Sequence, residues 1–213
     1  MHIYTDTDGN EYPSVTTIIH QILVNPTPLL KWSNIMGFKH KKYEDVMDAS
    51  ADFGTLMHSV MESYMTNKEI PSINDLIVLR KVNVILDQFD KFRSGVNLNP
   101  EDTMFVEESI ISKSLGYAGT IDWLGTYKNE LAIIDYKTSK TARLGFFIQL
   151  SAYDKLLQIE KNIKVNKATI LTLREDGVRN YDVTREELDY YYEIFEHMKA
   201  IYEKVSKLEE CST

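Results

Sequence analysis

The stretch 116–137, Gly-Tyr-Ala-Gly-Thr-Ile-Asp-Trp-Leu-Gly-Thr-Tyr-Lys-Asn-Glu-Leu-Ala-Ile-Ile-Asp-Tyr-Lys, limits the possible folds more than any other segment. β-Branched and aromatic residues dominate two segments, 116–127 and 131–137, and a polar turn at Lys128-Asn129 joins them into a hairpin. A turn centred there pairs Tyr127 with Glu130 and, continued inward, sets Asp122 opposite Asp135. Like charges facing each other across strands destabilise a sheet unless something positive lies between them. Alternation puts Lys137 on the same face as Asp135. Two carboxylates, an ammonium and a strand end are the makings of a divalent-cation site for hydrolysis. An exposed Asp-x-Lys strand beside an unrelated aspartate has the same pattern, so the hairpin alone leaves both readings open.

The rest of the chain narrows the class. With 213 residues and no shift in composition, it is long enough for one sizeable core. It contains no apolar run of transmembrane length and no signal-peptide pattern, so a soluble, cytoplasmic protein without a membrane association is expected. The single cysteine, Cys211, excludes an internal disulfide and a cysteine-ligated zinc or iron-sulfur centre. A net charge of −8 argues against non-specific coating of nucleic acid. The charge is unevenly spread, however. Residues 12–43 hold no acid but include Lys31, Lys39, Lys41 and Lys42, and residues 136–153 hold none but include Lys137, Lys140 and Arg143. A basic lining on an acidic body suits a protein that grips a polyanion in one groove, although chance fluctuation in charge produces such segments too.

In chain order, Asp8-Gly9 marks a short hairpin, and Ser14 can N-cap a helix over 15–23. A helix over 29–38 carries Trp32, which is suited either to stacking a base or to packing in the core. A helix over 52–64 sets Gly54, His58 and Glu62 at four-residue steps along one face. Here the glycine would let another element approach, and Glu62 could hold the second nitrogen of a metal-ligating His58. A solvated His-Glu pair fits that spacing equally well. A long amphipathic helix over 72–92 with Gly95 as its stop, and a strand over 104–112 containing Glu107 and Glu108, follow. Only one of these two glutamates can point towards the acidic face. Beyond Lys137, the loop Thr138-Ser139-Lys140-Thr141 offers hydroxyls and positive charge to phosphate, and a helix over 145–159 sets Gln149 and Tyr153 on one face. Strands over 168–173 and 178–183 and a last helix opened by a Thr184/Glu187 capping box complete a mixed α/β sheet with helices on both faces.

Together, Gly54-x-x-x-His58, Glu107, Gly119-x-x-Asp122, Asp135-x-Lys137 and Gln149-x-x-x-Tyr153 resemble the motif series of the RecB-like branch of the PD-(D/E)xK nuclease superfamily. The segment Tyr12-Pro13-Ser14-Val15-Thr16-Thr17-Ile18 and the His58/Glu62 pair further resemble the mitochondrial genome maintenance exonucleases and their phage relatives. The resemblance implies a restriction-endonuclease-like core at 101–183, a mainly helical part at 1–100 and a closing helix at 184–213, all in one nuclease domain. It implies Mg²⁺ or Mn²⁺ held by His58, Asp122, Asp135 and the main-chain carbonyl of Tyr136, with Lys137 orienting or activating water. Glu107 fits the upstream acidic position better than Glu108. Gln149 and Tyr153 would support the site or touch substrate; Glu62, Ser139, Lys140 and Trp32, read from their residue types alone, are further candidates for substrate contact or for support of the site. Iron-sulfur members of the branch need four cysteines, so no cluster is expected here. The implied activity is metal-dependent hydrolysis of DNA, as an exonuclease on single-stranded ends, with a phage or host recombination protein as a partner. A catalytically silent binding module on the same fold is the competing reading, and an endonuclease of the same superfamily is another.

Overall fold

The computed structural model describes residues 2–23, 26–40 and 42–210; Lys41 and Cys211 lie outside them. Two short strands, β1 (Ile3–Thr5) and β2 (Glu11–Pro13), form the N-terminal hairpin, with Gly9 at φ +85° in its turn. Helices α1 (Val15–Ile22), α2 (Pro26–Phe38), α3 (Tyr43–Met65) and α4 (Leu76–Val96) follow. The Ser14 hydroxyl accepts the Thr17 N–H at 2.9 Å, which is the N-cap expected from sequence. The helix expected over 72–92 begins instead after Asp75, whose carboxylate caps it, and ends at a left-handed Asn97. Gly95 therefore lies inside the helix and does not stop it.

The main sheet runs β3 (Leu98–Ser112), β4 (Tyr117–Tyr127), β5 (Glu130–Lys137), β6 (Lys167–Arg174), β7 (Gly177–Thr184) in sequence order. All neighbours are antiparallel except β5 and β6, between which α5 (Leu144–Leu156) and a π-helical turn (Leu157–Lys161) carry the chain across. Helix α6 (Arg185–Glu210) opens on the expected reciprocal capping box: Thr184 N–H donates to Glu187 at 2.8 Å and Glu187 N–H to the Thr184 hydroxyl at 3.3 Å.

One face of the sheet packs Tyr117, Ile121, Leu124 and Ile133 against α1, α5 and α6. The other packs Trp123, Ile134, Tyr136 and Leu171 against α3 and α4 through Met57, Met61, Ile85 and Phe89. This is the mixed α/β sheet with helices on both faces that the order of elements predicts, preceded by a mainly helical N-terminal part. No helix among the described residues is long and apolar enough to cross a membrane.

Candidate metal centre and active site

The β4–β5 hairpin turns through Lys128 and Asn129, both left-handed at φ 51° and 62°, a conformation that matches the twist of the flanking strands. Its ladder runs in the expected register from Tyr127–Glu130 to Trp123–Ile134, one step short of Asp122 and Asp135. There the strands fork. The Asp122 carboxylate fills the gap, its Oδ2 accepting the Tyr136 N–H at 2.7 Å. A side chain thus replaces a ladder bond and is held by it.

The partner strand breaks at the same level. The β3–β4 ladder pairs Val106 with Trp123 and Glu108 with Ile121, but skips the step between them, where Glu107 adopts a left-handed φ of 50°. For a glutamate this conformation costs about 1–3 kcal/mol and persists only where its surroundings enforce it. The alternation of β4 shifts here too, since Ile121 and Leu124 both face the α5 side while Trp123 faces α3. The two acids are thereby turned out of the regular pleat towards one place.

Helix α3 supplies the third group. His58 Nδ1 lies 3.3 Å from Asp122 Oδ2 and 3.5 Å from Glu107 Oε1. One ligand atom from each of His58, Glu107 and Asp122 falls within 4.8 Å of the others. Burial disfavours the charged imidazole, but the two carboxylates overcome it and push its pKa up to about 10. Glu108 points elsewhere, to Lys161 at 2.6 Å.

Asp135, fully buried, forms a second group beside the first. The Lys137 ammonium sits 2.8 Å from its Oδ1 and 2.7 Å from its Oδ2, and Gln149 Nε2 donates to Oδ1 at 3.1 Å. Burial raises the Asp135 pKa to about 6; Lys137 lowers it, and Asp122 reinforces the rise. Lys137 is itself raised, burial being outweighed by the charges of Asp135 and Asp122. Its charged form is favoured there, and it donates to Asp135. Its ammonium also lies 5.0 Å from the centre of the Phe146 ring.

The remaining expected residues fall into three groups. Gln149 and Tyr153 are buried and support the site: Gln149 Nε2 donates to Tyr153 Oη at 2.7 Å, and the Tyr153 ring lies over Gly119. A Cβ on Gly119 would stand 2.5 Å from that ring, so a side chain fits here only if the ring moves. Glu62 does not hold His58. It pairs with Lys68 at 3.6 Å because the histidine ring turns towards the sheet, where two carboxylates compete for it. Gly54 faces the Thr138 hydroxyl, at a distance where an alanine Cβ would make ordinary contact.

Ser139 donates to the Thr141 carbonyl, and the Lys140 carbonyl accepts from Arg179 at 3.4 Å, which leaves the Lys140 side chain exposed. Trp32 is half-buried on α2 and joins neither core cluster, and Phe38 on the same helix is 87 % exposed. Phe147, by contrast, stacks on Tyr191. Sequence reasoning missed Tyr4, whose hydroxyl bonds Thr120 at 2.7 Å, two residues from Asp122. The Asp8-Gly9 turn signals the hairpin but nothing local signals where it docks.

The donor set of one imidazole and several carboxylate oxygens could hold a divalent cation. Three carboxylates converge against one ammonium and one imidazole, so a divalent ion would balance the charge with His58 neutral.

No family model and no curated protein matches the chain. Among solved structures, a candidate exonuclease from Eubacterium rectale is similar at a TM-score of 0.45 and 12 % identity, over 68 % of this chain and 64 % of that one. The chain thus spans less than two thirds of that protein. LHK-Exo, solved with dAMP, is similar at a TM-score of 0.31 and 10 % identity, over 71 % of this chain and 85 % of that one.

Proposed function

We propose that the protein is a divalent-metal-dependent deoxyribonuclease that hydrolyses phosphodiester bonds, acting as an exonuclease on single-stranded ends. The observation that carries this reading is the convergence of His58, Glu107, Asp122, Asp135 and Lys137 where β4 and β5 fork, with acid in excess of base.

His58, Glu107 and Asp122 would hold the ion, with Asp135 and the Tyr136 carbonyl as further candidate ligands. The bound Mg²⁺ or Mn²⁺ supplies Lewis acidity to the phosphoryl group and lowers the pKa of water. Asp122, fixed by the Tyr136 N–H, holds its carboxylate in one orientation before substrate arrives. Lys137, kept charged by Asp135, donates to a phosphate oxygen or to the attacking water and stabilises the negative charge that develops. Gln149, braced by Tyr153, fixes the rotamer of Asp135.

The single-strand preference rests on the N-terminal helices. Helix α2 contains no acidic residue, and it carries the exposed Phe38 and Leu30 with Lys31 and Lys39 beside them. Unpaired bases offer aromatic faces to such a surface, each stack contributing about 1–3 kcal/mol, whereas a duplex hides them. Phage or genome-maintenance DNA processing, with a recombination protein as partner, is the setting that fits this activity.

The test is incubation with end-labelled linear and circular DNA, single- and double-stranded, with Mn²⁺, Mg²⁺ or chelator. Metal-dependent shortening of linear single strands, with circles spared, is expected. Rapid cutting of circular single strands would remove the requirement for an end, and no cutting of any substrate would leave the binding-module reading.

A further inference from the structure

Beyond the Trp123–Ile134 pair, β5 leaves the edge of β4, and the N-terminal hairpin takes up that edge: Ser14 forms a parallel bridge to Ala118. The hairpin is pinned there. His2 N–H donates to the Thr17 hydroxyl at 3.1 Å, the His2 carbonyl accepts the Ser14 N–H at 3.1 Å, and Tyr4 pairs with Tyr12 across the ladder. These contacts fix the backbone that carries Tyr4. The Tyr4 hydroxyl meets the Thr120 hydroxyl at 2.7 Å, and Thr120 in turn meets the Ser109 hydroxyl at 2.8 Å.

Three hydroxyls thus run in a row from the hairpin across β4 to β3, and the register sets its place. Ser109 and Thr120 are cross-strand partners. Gly119 faces Tyr153 of α5, so Thr120, the next residue, faces the opposite side, from which α3 brings His58. Thr120 stands two residues from Asp122 and Ser109 two from Glu107, which is about 6–7 Å along each strand. Successive phosphates of an extended single strand are separated by a comparable step. A phosphate at the metal centre therefore brings a neighbour to the row.

Two bonds among three hydroxyls use two of their three protons and leave one O–H for a group outside the row. Ser109 is exposed, and Tyr4 and Thr120 are half-buried, so that group arrives from the solvent side. A phenol is a stronger donor than an aliphatic hydroxyl, and a chain running from Ser109 through Thr120 ends on Tyr4 with its donors polarised in one direction. Neutral donors suit this spot, because a lysine here would pair with Glu107 or Asp122 and compete with the ion.

We infer that Tyr4 is a substrate-binding residue whose hydroxyl donates to the phosphate adjoining the scissile one, with Thr120 and Ser109 as its positioning residues. The inference rests on the proposed nuclease reading and adds a second phosphate contact to the same site.

The experiment compares kcat/KM in Mn²⁺ on a single-stranded oligonucleotide and on copies with one neutral methylphosphonate next to the mapped cut, on either side. The wild type should lose on the order of 10-fold on one of the two copies, the usual effect of removing a hydrogen bond to a charged group. Tyr4→Phe should lose about as much on the natural strand and nothing further on that copy, and Ser109→Ala should show a reduced penalty. Mn²⁺ affinity, read by calorimetry, should match wild type in both variants. A wild type indifferent to both copies, a full methylphosphonate penalty in Tyr4→Phe, or a fall in its Mn²⁺ affinity would overturn the inference while leaving the nuclease reading intact. Should Tyr4→Phe fail to fold, a full penalty in Ser109→Ala overturns it in the same way. No cleavage of the natural strand by the wild type would instead remove the nuclease reading and this inference with it.

Discussion

Helix α5 serves two buried aspartates, and they are compensated in opposite ways. Asp154, on the helix, meets the Arg185 guanidinium at 2.6 Å, the Gln158 amide at 2.5 Å and the Val165 N–H at 3.4 Å. One carboxylate faces one strong cation and two neutral donors, and the result ties α5 to α6. Asp135, braced from the helix by Gln149, has Lys137 but also has Asp122, and Glu107 lies beyond it. Here acid exceeds base, and the fold gains nothing from the excess. Charge balance distinguishes the Asp154 site from the acid-rich cluster proposed as the metal centre.

The strongest way to break this comparison is to exchange the phenotypes of the two sites. Asp122→Asn or Asp135→Asn should abolish detectable cleavage and weaken Mn²⁺ binding while the protein stays folded, as calorimetry and circular dichroism would read. Asp154→Asn should do the reverse. It should keep Mn²⁺ affinity but lose stability in urea, up to the ~3–5 kcal/mol typical of a broken buried pair, and less to the extent that Arg185 retains Asp189. If Asp154→Asn loses metal and Asp122→Asn does not, the two sites have been misassigned.

Lys137→Ala sharpens the catalytic side. Metal and DNA binding should persist while kcat falls by about 10²-fold or more, the usual effect of removing a preorganised charge. A wild-type rate would make Lys137 only the counter-ion of Asp135.

Smaller again is Gly119→Ala. Its Cβ must displace the Tyr153 ring, costing about 1–3 kcal/mol in denaturation and, through Gln149, loosening Asp135. Full activity with full stability would show that the Tyr153–Gln149 brace is dispensable.

The gentlest probe is pH. His58 is raised from 6.5 to about 10 by its two carboxylates against burial, so its contribution to stability is complete below pH 6.5 and is lost as pH rises towards 10. The metal-free melting temperature should therefore fall across that interval. Saturating Mn²⁺ should flatten the fall, because a metal-bound imidazole carries no proton there. Near pH 7.5, binding should release close to one proton, visible as a buffer-dependent heat. No release would exclude His58 as a ligand.

Much of this molecule is written locally. The Lys128-Asn129 turn sets the β4–β5 register, the Ser14 and Thr184 caps open their helices, and alternation places Lys137 beside Asp135, because each depends on neighbours within a few residues. Choices among equals were not local. Nothing in the spacing of Glu107 and Glu108 says that the first adopts a left-handed φ and faces His58 while the second reaches Lys161. Helical spacing pairs His58 with Glu62, yet the sheet offers stronger acceptors and takes the ring. Sequence period could state only that Asp122 and Asp135 are opposite; the fork that lets Asp122 cap the Tyr136 N–H arises where β3, β4 and β5 meet under α3. Registers, caps and turns are short-range and legible in the chain, whereas the convergence of four elements on one excess of negative charge exists only once they pack.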